Sequence, residues 1–401
     1  MKSEWHKVPL RELVGYISKG IAPIYSEKST GTTISVLNQK CNRNFQISYA
    51  EARLHNMTQK KVPDERLIRK DDILINSTGT GTAGRVAQIR SVPCRTTVDG
   101  HMIILRANEK VMQRYLGYAI KAHQSEILQL DEGSTGQTEL NRERLLDEIM
   151  ICYPESIIVQ EKIVTIFECI DQKIVVNKKI NDNLEQQAVT YFQELYINNA
   201  NPMWQIGTIS DLGTVVGGST PSKTKPEYYT NNGIAWITPK DLSINKSKFI
   251  SHGENDITEL GLKNSSATVM PKGTVLFSSR APIGYIAIAS NEVTTNQGFK
   301  SVVPYLEIGT AFVYFFLKHS LPVIESAASG STFKEISGSA MKNIPAIIPD
   351  RSTLDQFNSF CAPIFAQQKI LEDQNYSLAM LRDSLLPKLM SGAIDIASIQ
   401  L

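Results

Sequence analysis

Residues 71–77 read DDILINS, and residues 273–279 read GTVLFSS. Each is a short apolar run closed by small polar residues, and each is followed within seven residues by a related tetrapeptide, Gly84-Arg-Val-Ala in one case and Gly284-Tyr-Ile-Ala in the other. Both stretches read as strand, tight turn, strand. Their separation of about 200 residues points to an internal repeat, which decides the fold when present. Outward from this pair the matches keep their order. Trp5 in EWHKVPLREL answers Trp204 in MWQIGTISDL, TTVDG (96–100) answers TTNQG (294–298), and EGSTG (132–136) answers SGSTF (329–333). IMICYPE (149–155) then answers IPAIIPD (344–350), Gln160 answers Gln356, and QKI at 172–174 answers QKI at 368–370. Each half therefore holds about 150 residues of short strands, turns and a few helices, and ends in a long helix.

The long helices are legible from periodicity. Ile163, Ile166, Phe167, Ile170, Ile174, Ile180, Leu184, Ala188, Tyr191 and Leu195 recur at three- and four-residue steps, with a polar opposite face. A helix from about 160 to 196 would extend about 55 Å, and its length without internal Gly or Pro resembles a coiled-coil strand. Asn177 falls in the seam, where a polar residue can fix register. In the second half STLD (352–355) reads as a capping box, and Leu371, Leu378, Leu381, Leu385 and Leu389 run up to Gly392. Pro363 is expected to kink this helix or to begin a new one. The resulting expectation is an α+β chain with two tandem α/β domains, separated and followed by long helices that pair as an antiparallel coiled coil. The boundaries are 1–155 and 201–351 for the domains, and 156–200 and 352–401 for the helical regions.

Composition bounds the function. A chain of 401 residues, 42% hydrophobic and 20% charged, is an ordinary globular protein of two or three domains. The cysteines Cys41, Cys94, Cys152, Cys169 and Cys361 form no Cys-x-x-Cys pair, and a reducing cytosol fits them. No signal-peptide core precedes the charged N-terminus and no uncharged apolar run reaches 18 residues, so a cytoplasmic protein without a membrane span is expected. Net charge is +2, but residues 1–150 carry +5 and residues 151–201 carry −3. A basic module followed by an acidic connector suits a phosphate-binding lobe beside a protein-binding segment, and suits an uneven surface without meaning equally well.

Catalytic signatures fail. GTGTAG (79–84) matches the dinucleotide-binding G-x-G-x-x-G, which requires a helix next, yet the following RVAQIRSVPCRTT is strand-like and contains a proline. The aligned SRAPIG of the second copy keeps the last glycine alone, so the segment reads as a hairpin turn. No phosphate loop, His-Glu-x-x-His or Gly-x-Ser-x-Gly is found, and His6, His55, His101, His123, His252 and His319 do not pair at ligand spacing. No catalytic residue and no metal site are expected.

GGSTPSKTKPEYYTNNGIAWITPKDLS (217–243), VLFSSRAPIGYIAIA (275–289), TTNQGF (294–299) and LRDSLLPKLMSGAIDI (381–396) resemble the specificity subunits of type I restriction-modification systems. IRKDDILINSTGTGTAGRVA (68–87) carries the resemblance into the first half, which lacks the Gly-Gly-x-Thr-Pro opening. The resemblance implies two target-recognition domains, each reading half of a split, asymmetric DNA site, with the helical regions as ruler and as dock for two modification methyltransferase subunits. Restriction and translocase subunits complete such an enzyme. S-adenosylmethionine, ATP and Mg would belong to those partners, and none of them to this chain.

Sequence readers need phosphate anchors and base-edge contacts on loops where glycines allow close approach. The repeat-equivalent loops offer Asn76, Ser77, Thr78, Arg85, Thr96, Thr97, Ser134 and Thr135 in the first half. In the second they offer Ser219, Thr220, Ser222, Lys240, Ser278, Ser279, Arg280, Thr294, Asn296, Gln297, Ser331 and Thr332. The competing reading makes the shared loops scaffold turns and puts base reading in the unshared stretches 38–66 and 243–268, with Lys40, Arg43, Arg53, Lys60 and Lys61, and Lys246, Lys248 and Lys263. Two rival functions stay open: a non-catalytic protein scaffold, and a nucleotide-binding enzyme using Gly79–Gly84.

Overall fold

The computed structural model describes residues 4–132, 139–330, 334–394 and 396. The chain divides into two compact units. One gathers residues up to Gln172 with those from Leu378 onward, and the other is Lys173–Ser377. Both mix helix and sheet, and both share the plan that the repeat predicts.

In the first unit Trp5–Pro9 pairs antiparallel with Met150–Pro154, so the module begins and ends on one ladder. Its main sheet runs Val14–Lys19, Met102–Ala107, Ile73–Asn76, Val86–Gln88, all antiparallel. A second sheet sets Thr96–Val98 parallel to Thr33–Leu37, then adds Arg53–Asn56 and Tyr25–Ser26. The second unit repeats each step. Gln205–Thr208 pairs with Pro345–Ile348, and the main sheet runs Gly213–Gly217, Lys300–Pro304, Val275–Ser279, Ile283–Ala289, Phe249–Ile250. Thr294–Thr295 lies parallel to Ile234–Ile237, followed by Asn255–Ile257 and Tyr229–Thr230.

The decisive stretch is apolar without alternation because its strand is covered on both faces. Successive side chains point to opposite sides of a sheet. Ile73 and Ile75 enter one core with Tyr115 and Phe167, while Leu74 enters another with Leu37 and Ile104. Val275 and Phe277 divide from Leu276 in the same way.

GTGTAG is the turn of the hairpin Ile73–Asn76 to Val86–Gln88, and a strand comes after it where a dinucleotide fingerprint needs a helix. Gly84 has φ +80, and a Cβ there would stand 2.9 Å from the Ile127 carbonyl oxygen. At its counterpart Gly284, with φ +94, a Cβ would stand 2.5 Å from a Leu321 methyl carbon. Gly81 has φ +68 but open space around it. Gly81→Ala is therefore expected to cost about 1–2 kcal/mol for the left-handed backbone. Gly84→Ala should cost about 1–2 kcal/mol more, because backbone must shift as well. Thermal melts of the two variants check the order, and equal losses would refute the close approach.

The central helix spans Ile157–Gln193 and ends in a π-helical turn, Glu194–Asn198. The closing helix spans Arg351–Met390. Their stretches run antiparallel within each unit. In the first, Asp171 meets Arg382 at 2.9 Å, and Ile163 and Phe167 share a core with Leu386 and Leu389. In the second, Asn177 donates to Asn375 (3.0 Å), Gln368 to the Asn181 carbonyl (3.1 Å) and Gln356 to Tyr191 (2.7 Å). Asn177 is fully buried in the seam, as its spacing predicts.

Two details depart from the sequence reading and a third narrows it. Ile180 belongs to the apolar periodicity but is 40% exposed. The closing helix is capped by Asp350, whose carboxylate accepts from the Thr353 N–H (2.9 Å), and not by the STLD box two residues later. Of the two outcomes expected at Pro363 a new helix start is ruled out, since the residue lies inside the one helix Arg351–Met390. It sits on an exposed face, as does Ser359, whose freed carbonyl can take water, while Phe357, Cys361 and Ile364 are held in the core on the other side.

Candidate nucleic-acid interface

The shared loops prove to be scaffold at their centres. Asn76 is fully buried, accepting from Asn42 (3.0 Å) and donating to the Gln39 carbonyl (3.2 Å). Ser77 is buried in a backbone exchange with His101 and Leu140. Thr96 and Thr97, buried too, donate to the carbonyls of Cys94 (2.7 Å) and Arg66 (2.8 Å). Ser278 bridges the Pro282 carbonyl (2.8 Å) and the Tyr285 N–H (2.7 Å), and Thr294 donates to the Ala235 carbonyl (2.9 Å). Ser279 is also fully buried. A hydroxyl spent on a buried carbonyl cannot also meet a base edge without leaving that carbonyl bare. These seven side chains therefore leave the candidate surface: six are spent on partners inside the fold, and Ser279, whose hydroxyl has none among the described residues, is shut off by burial. Ser134, Thr135, Ser331 and Thr332 lie outside the described residues.

The half-buried members are more open. Thr78 contacts His101 (2.7 Å), and Arg85 donates to the Gly81 carbonyl (3.1 Å). Arg280 pairs with Glu335 at 3.3 Å. The structure does unite two predicted loops of the second module: the Ser219 N–H donates to the Thr295 carbonyl (2.8 Å), and Thr220 bonds Gln297, which is exposed beside half-buried Asn296. Gly218 makes this possible, since a Cβ there would fall 1.9 Å from the Asn296 carbonyl oxygen. Ser222 is exposed on the same loop, bonded to Thr224 (2.9 Å).

The unshared stretches carry exposed cations, of which Lys60 donates to the Ala22 carbonyl (2.8 Å). In the first module Lys40, Arg43, Arg53, Lys60 and Lys61 are all exposed. The Arg53 guanidinium lies 3.4 Å from the centroid of the Tyr25 ring, itself 41% exposed. An arginine stacked on an exposed ring keeps an accessible guanidinium, which phosphate or guanine recognition requires. The same module holds an open groove of about 540 Å³ lined by Lys61 and Arg95, with Met57, Val62, Pro63 and Asp64. Tyr25 and Arg95 were missed in the sequence, where neither belongs to a repeat-equivalent loop. Asp99 is buried nearby; burial pushes its carboxyl up, while the His101 N–H and the charges of His101 and Arg53 oppose that shift.

In the second module Lys246 and Lys263 are exposed, and Lys246 stands 4.3 Å from the Tyr285 ring centroid. Lys240 is exposed but paired with Glu254 at 2.5 Å. Lys248 departs from expectation altogether. It is 7% exposed, ion-paired with Glu185 and bonded to Gln368 at 2.6 Å, so it is not a solvated cation offered to a ligand. Burial lowers its affinity for a proton, and Glu185 opposes that shift.

Among the described residues no helix is long and apolar enough to cross a membrane, and no group of three His, Cys, Asp or Glu could hold a metal ion. Comparison with known proteins agrees with the duplicated plan. A family model described as type I restriction modification DNA specificity domain matches residues 2–186 and again 201–373. The type I restriction enzyme MjaIX specificity subunit of Methanocaldococcus jannaschii is 43% identical over 162 residues, 40% of this chain and 37% of that protein. The HindI specificity subunit of Haemophilus influenzae is 28% identical over 194 residues, 48% of this chain and 42% of its own length. The matched stretches thus span under half of either relative. In fold, the crystal structure of a type I restriction-modification S subunit from M. genitalium superposes with a TM-score of 0.56 at 16% identity, covering 97% of this chain and 96% of that one. With both halves matched by one family model and built on one strand plan, the chain belongs to the type I restriction modification DNA specificity family and carries its domain twice.

Proposed function

We propose that this chain is the DNA-reading specificity subunit of a type I restriction-modification enzyme. Residues 1–155 and 201–351 act as two target-recognition domains, each reading one half of a bipartite, asymmetric site. Residues 156–200 and 352–401 dock two methyltransferase subunits, and through them the restriction and translocase subunits. On this reading the chain is non-catalytic and works in the cytoplasm, and S-adenosylmethionine, ATP and Mg²⁺ are held by its partners. The observation that carries the reading is the duplication: one DNA specificity family matches twice, on two modules with the same sheets but different loops. Two readers with different loops suit two different DNA words. Exposed Val176 and Ile180 on the central helix and Tyr376 on the closing helix, 41%, 40% and 70% exposed, support protein docking there.

Binding to random duplexes over a salt series tests this reading. Sequence-selective binding whose affinity falls steeply with salt is expected, and its absence would overturn the proposal. Arg53→Ala is expected to weaken binding about ten-fold or more, corresponding to 1–3 kcal/mol. Its stack on Tyr25 is exposed and stabilises the fold little, so the thermal melt should hold while affinity drops. An unchanged affinity would take Arg53 off the interface.

A further inference from the structure

We propose that Lys248, and Phe45 at the equivalent place in the first module, are positioning residues that pin each reader's variable loop to its scaffold, and that they thereby hold the exposed cations Lys246 and Arg43 toward DNA. The inference rests on the reading of both modules as DNA readers. Its basis is a contact that the two copies share in geometry but not in residue type.

The equivalence comes from the ladders. Ala87 and Ala287 each stand three residues past the paired glycines Gly84 and Gly284. Phe45 forms a parallel bridge with Ala87. In the second module Phe249 pairs in parallel with Ile288, whose N–H donates to the Lys248 carbonyl (2.7 Å), which sets Lys248 beside Ala287. On the receiving side, Tyr118 and Lys121 of the helix Gln113–Ala122 take the places held by Phe315 and Lys318 on Thr310–His319.

Across these matching positions the helix supplies a ring and a lysine in both modules, and the loop residue alone changes, from a ring to a cation. In the first module the loop supplies the ring: Phe45 lies 4.4 Å from the Lys121 ammonium and 5.7 Å from the Tyr118 ring. In the second the loop supplies the cation: the Lys248 ammonium lies 4.2 Å from the Phe365 ring centroid, 4.9 Å from Tyr314 and 5.3 Å from Phe315. A desolvated cation over an aromatic face is held far more firmly than an exposed one. Glu185 joins Lys248 to Lys318, and Glu372 accepts from the backbone N–H groups of Lys248 (2.8 Å) and Phe249 (3.1 Å). Phe45 holds φ of +60, a backbone rare for a bulky side chain, beside Asn44 at +53, which asparagine tolerates. Its contact with Lys121 and Tyr118 stabilises that turn.

Each anchor stands two residues after an exposed cation, Arg43 before Phe45 and Lys246 before Lys248. Both cations lie in the stretches where the copies differ most. A fixed residue two positions away limits where such a cation can reach, which is what reading one base pair and not its neighbour demands.

The test uses the full chain, selection from a random duplex pool with sequencing, and hydrogen exchange. Lys248→Met combined with Glu185→Gln removes both charges of the pair and keeps the volume, while Phe45→Leu keeps the apolar burial and loses the ring. Each is expected to reduce sequence preference about ten-fold within one half-site, to leave the other half-site and the salt dependence unchanged, and to speed amide exchange at 243–247 or at 42–47 respectively. Lys248→Arg should restore most of the selectivity. Full selectivity with unchanged exchange in either variant overturns the proposal. Faster exchange in a chain whose wild type selects no sequence would instead overturn the assignment as a DNA reader. Should the double variant fail to fold, Phe45→Leu alone decides.

Discussion

Replacing Phe357 by alanine is expected to cost about 3–5 kcal/mol, the usual range for removing a fully buried phenyl ring. Phe357 is 0% exposed, and its ring lies 5.4 Å from Tyr196, 5.7 Å from Phe192 and 5.9 Å from Phe315. The Phe192 and Tyr196 contacts are edge-on, so the loss includes about 0.5–1.5 kcal/mol per ring pair beyond area burial. The position matters because three elements meet there: the closing helix, the end of the central helix, and the helix Thr310–His319 that lies under the main sheet. Collapse of the neighbours into the hole is restrained by their own partners, since Tyr196 donates to the Thr353 carbonyl (3.2 Å). For a domain of this size the cost corresponds to a fall in Tm of roughly 6–20 °C for the transition of residues 173–377. Phe360→Ala, three residues on, is the control. Phe360 is 39% exposed and should cost about 1 kcal/mol. If the two variants melted alike, the aromatic cluster would not be what joins the helices to this domain.

The contrast between Phe357 and Phe360 also marks where sequence reasoning runs out. Both are phenylalanines on a helix of the expected extent, and periodicity alone does not separate them. The architecture was legible because its signals are local and repeated: DDILINS and GTVLFSS announce buried strands, the strand-like RVAQIR marks GTGTAG as a hairpin turn, and the seam position of Asn177 is set by its spacing. Pairings between distant strands had no such signal. Nothing near Trp5–Pro9 says that Met150–Pro154 will lie beside it, whereas the antiparallel pairing expected of the helices already returns residues from Leu378 onward to the first unit. The candidate site was legible by region and not by residue. Serine, threonine and asparagine suit a DNA-facing loop and a buried turn equally, so Asn76, Thr97 and Ser278 were misplaced for a physical reason: their hydroxyls and amides are needed by carbonyls inside the fold. Lys248 misled in the same way. A lysine in a polar stretch looks solvated until the carboxylate and rings that surround it, from residues 185, 314, 315 and 365, are brought together by folding.

Glu185→Gln is expected to destabilise residues 173–377 by about 3–5 kcal/mol near neutral pH, because it leaves the Lys248 ammonium buried without its counter-charge. Lys248 has a side chain 5% exposed, against 38% for Lys318, the second cation on the same carboxylate at 2.5 Å. The loss should therefore come almost wholly from Lys248, since Lys318 can turn to water. Burial by itself would raise the affinity of Glu185 for a proton, but the charges of Lys248 and Lys318 outweigh it and hold the carboxyl below the ordinary value of 4.5. That direction sets the sign of the pH effect. A carboxyl depressed in the folded chain binds a proton more readily when unfolded, so its stabilisation is fully present above pH 4.5 and is lost as pH falls through the lower, folded value. The gap in stability between wild type and Glu185→Gln should consequently be constant from pH 7 down to about 5 and should narrow below 4.5, where the wild type loses the same charge by protonation. Urea unfolding at a series of pH values measures that gap. A gap that stayed unchanged from pH 6 to pH 3 would mean that Glu185 carries no stabilising charge, and a variant as stable as wild type at pH 7 would mean that Gln368 and the three rings suffice to hold Lys248. The companion replacement Lys248→Met should recover much of the loss in the Glu185→Gln background, because a buried ion pair exchanged as a unit for uncharged groups of similar volume is close to neutral, whereas either half removed alone is not.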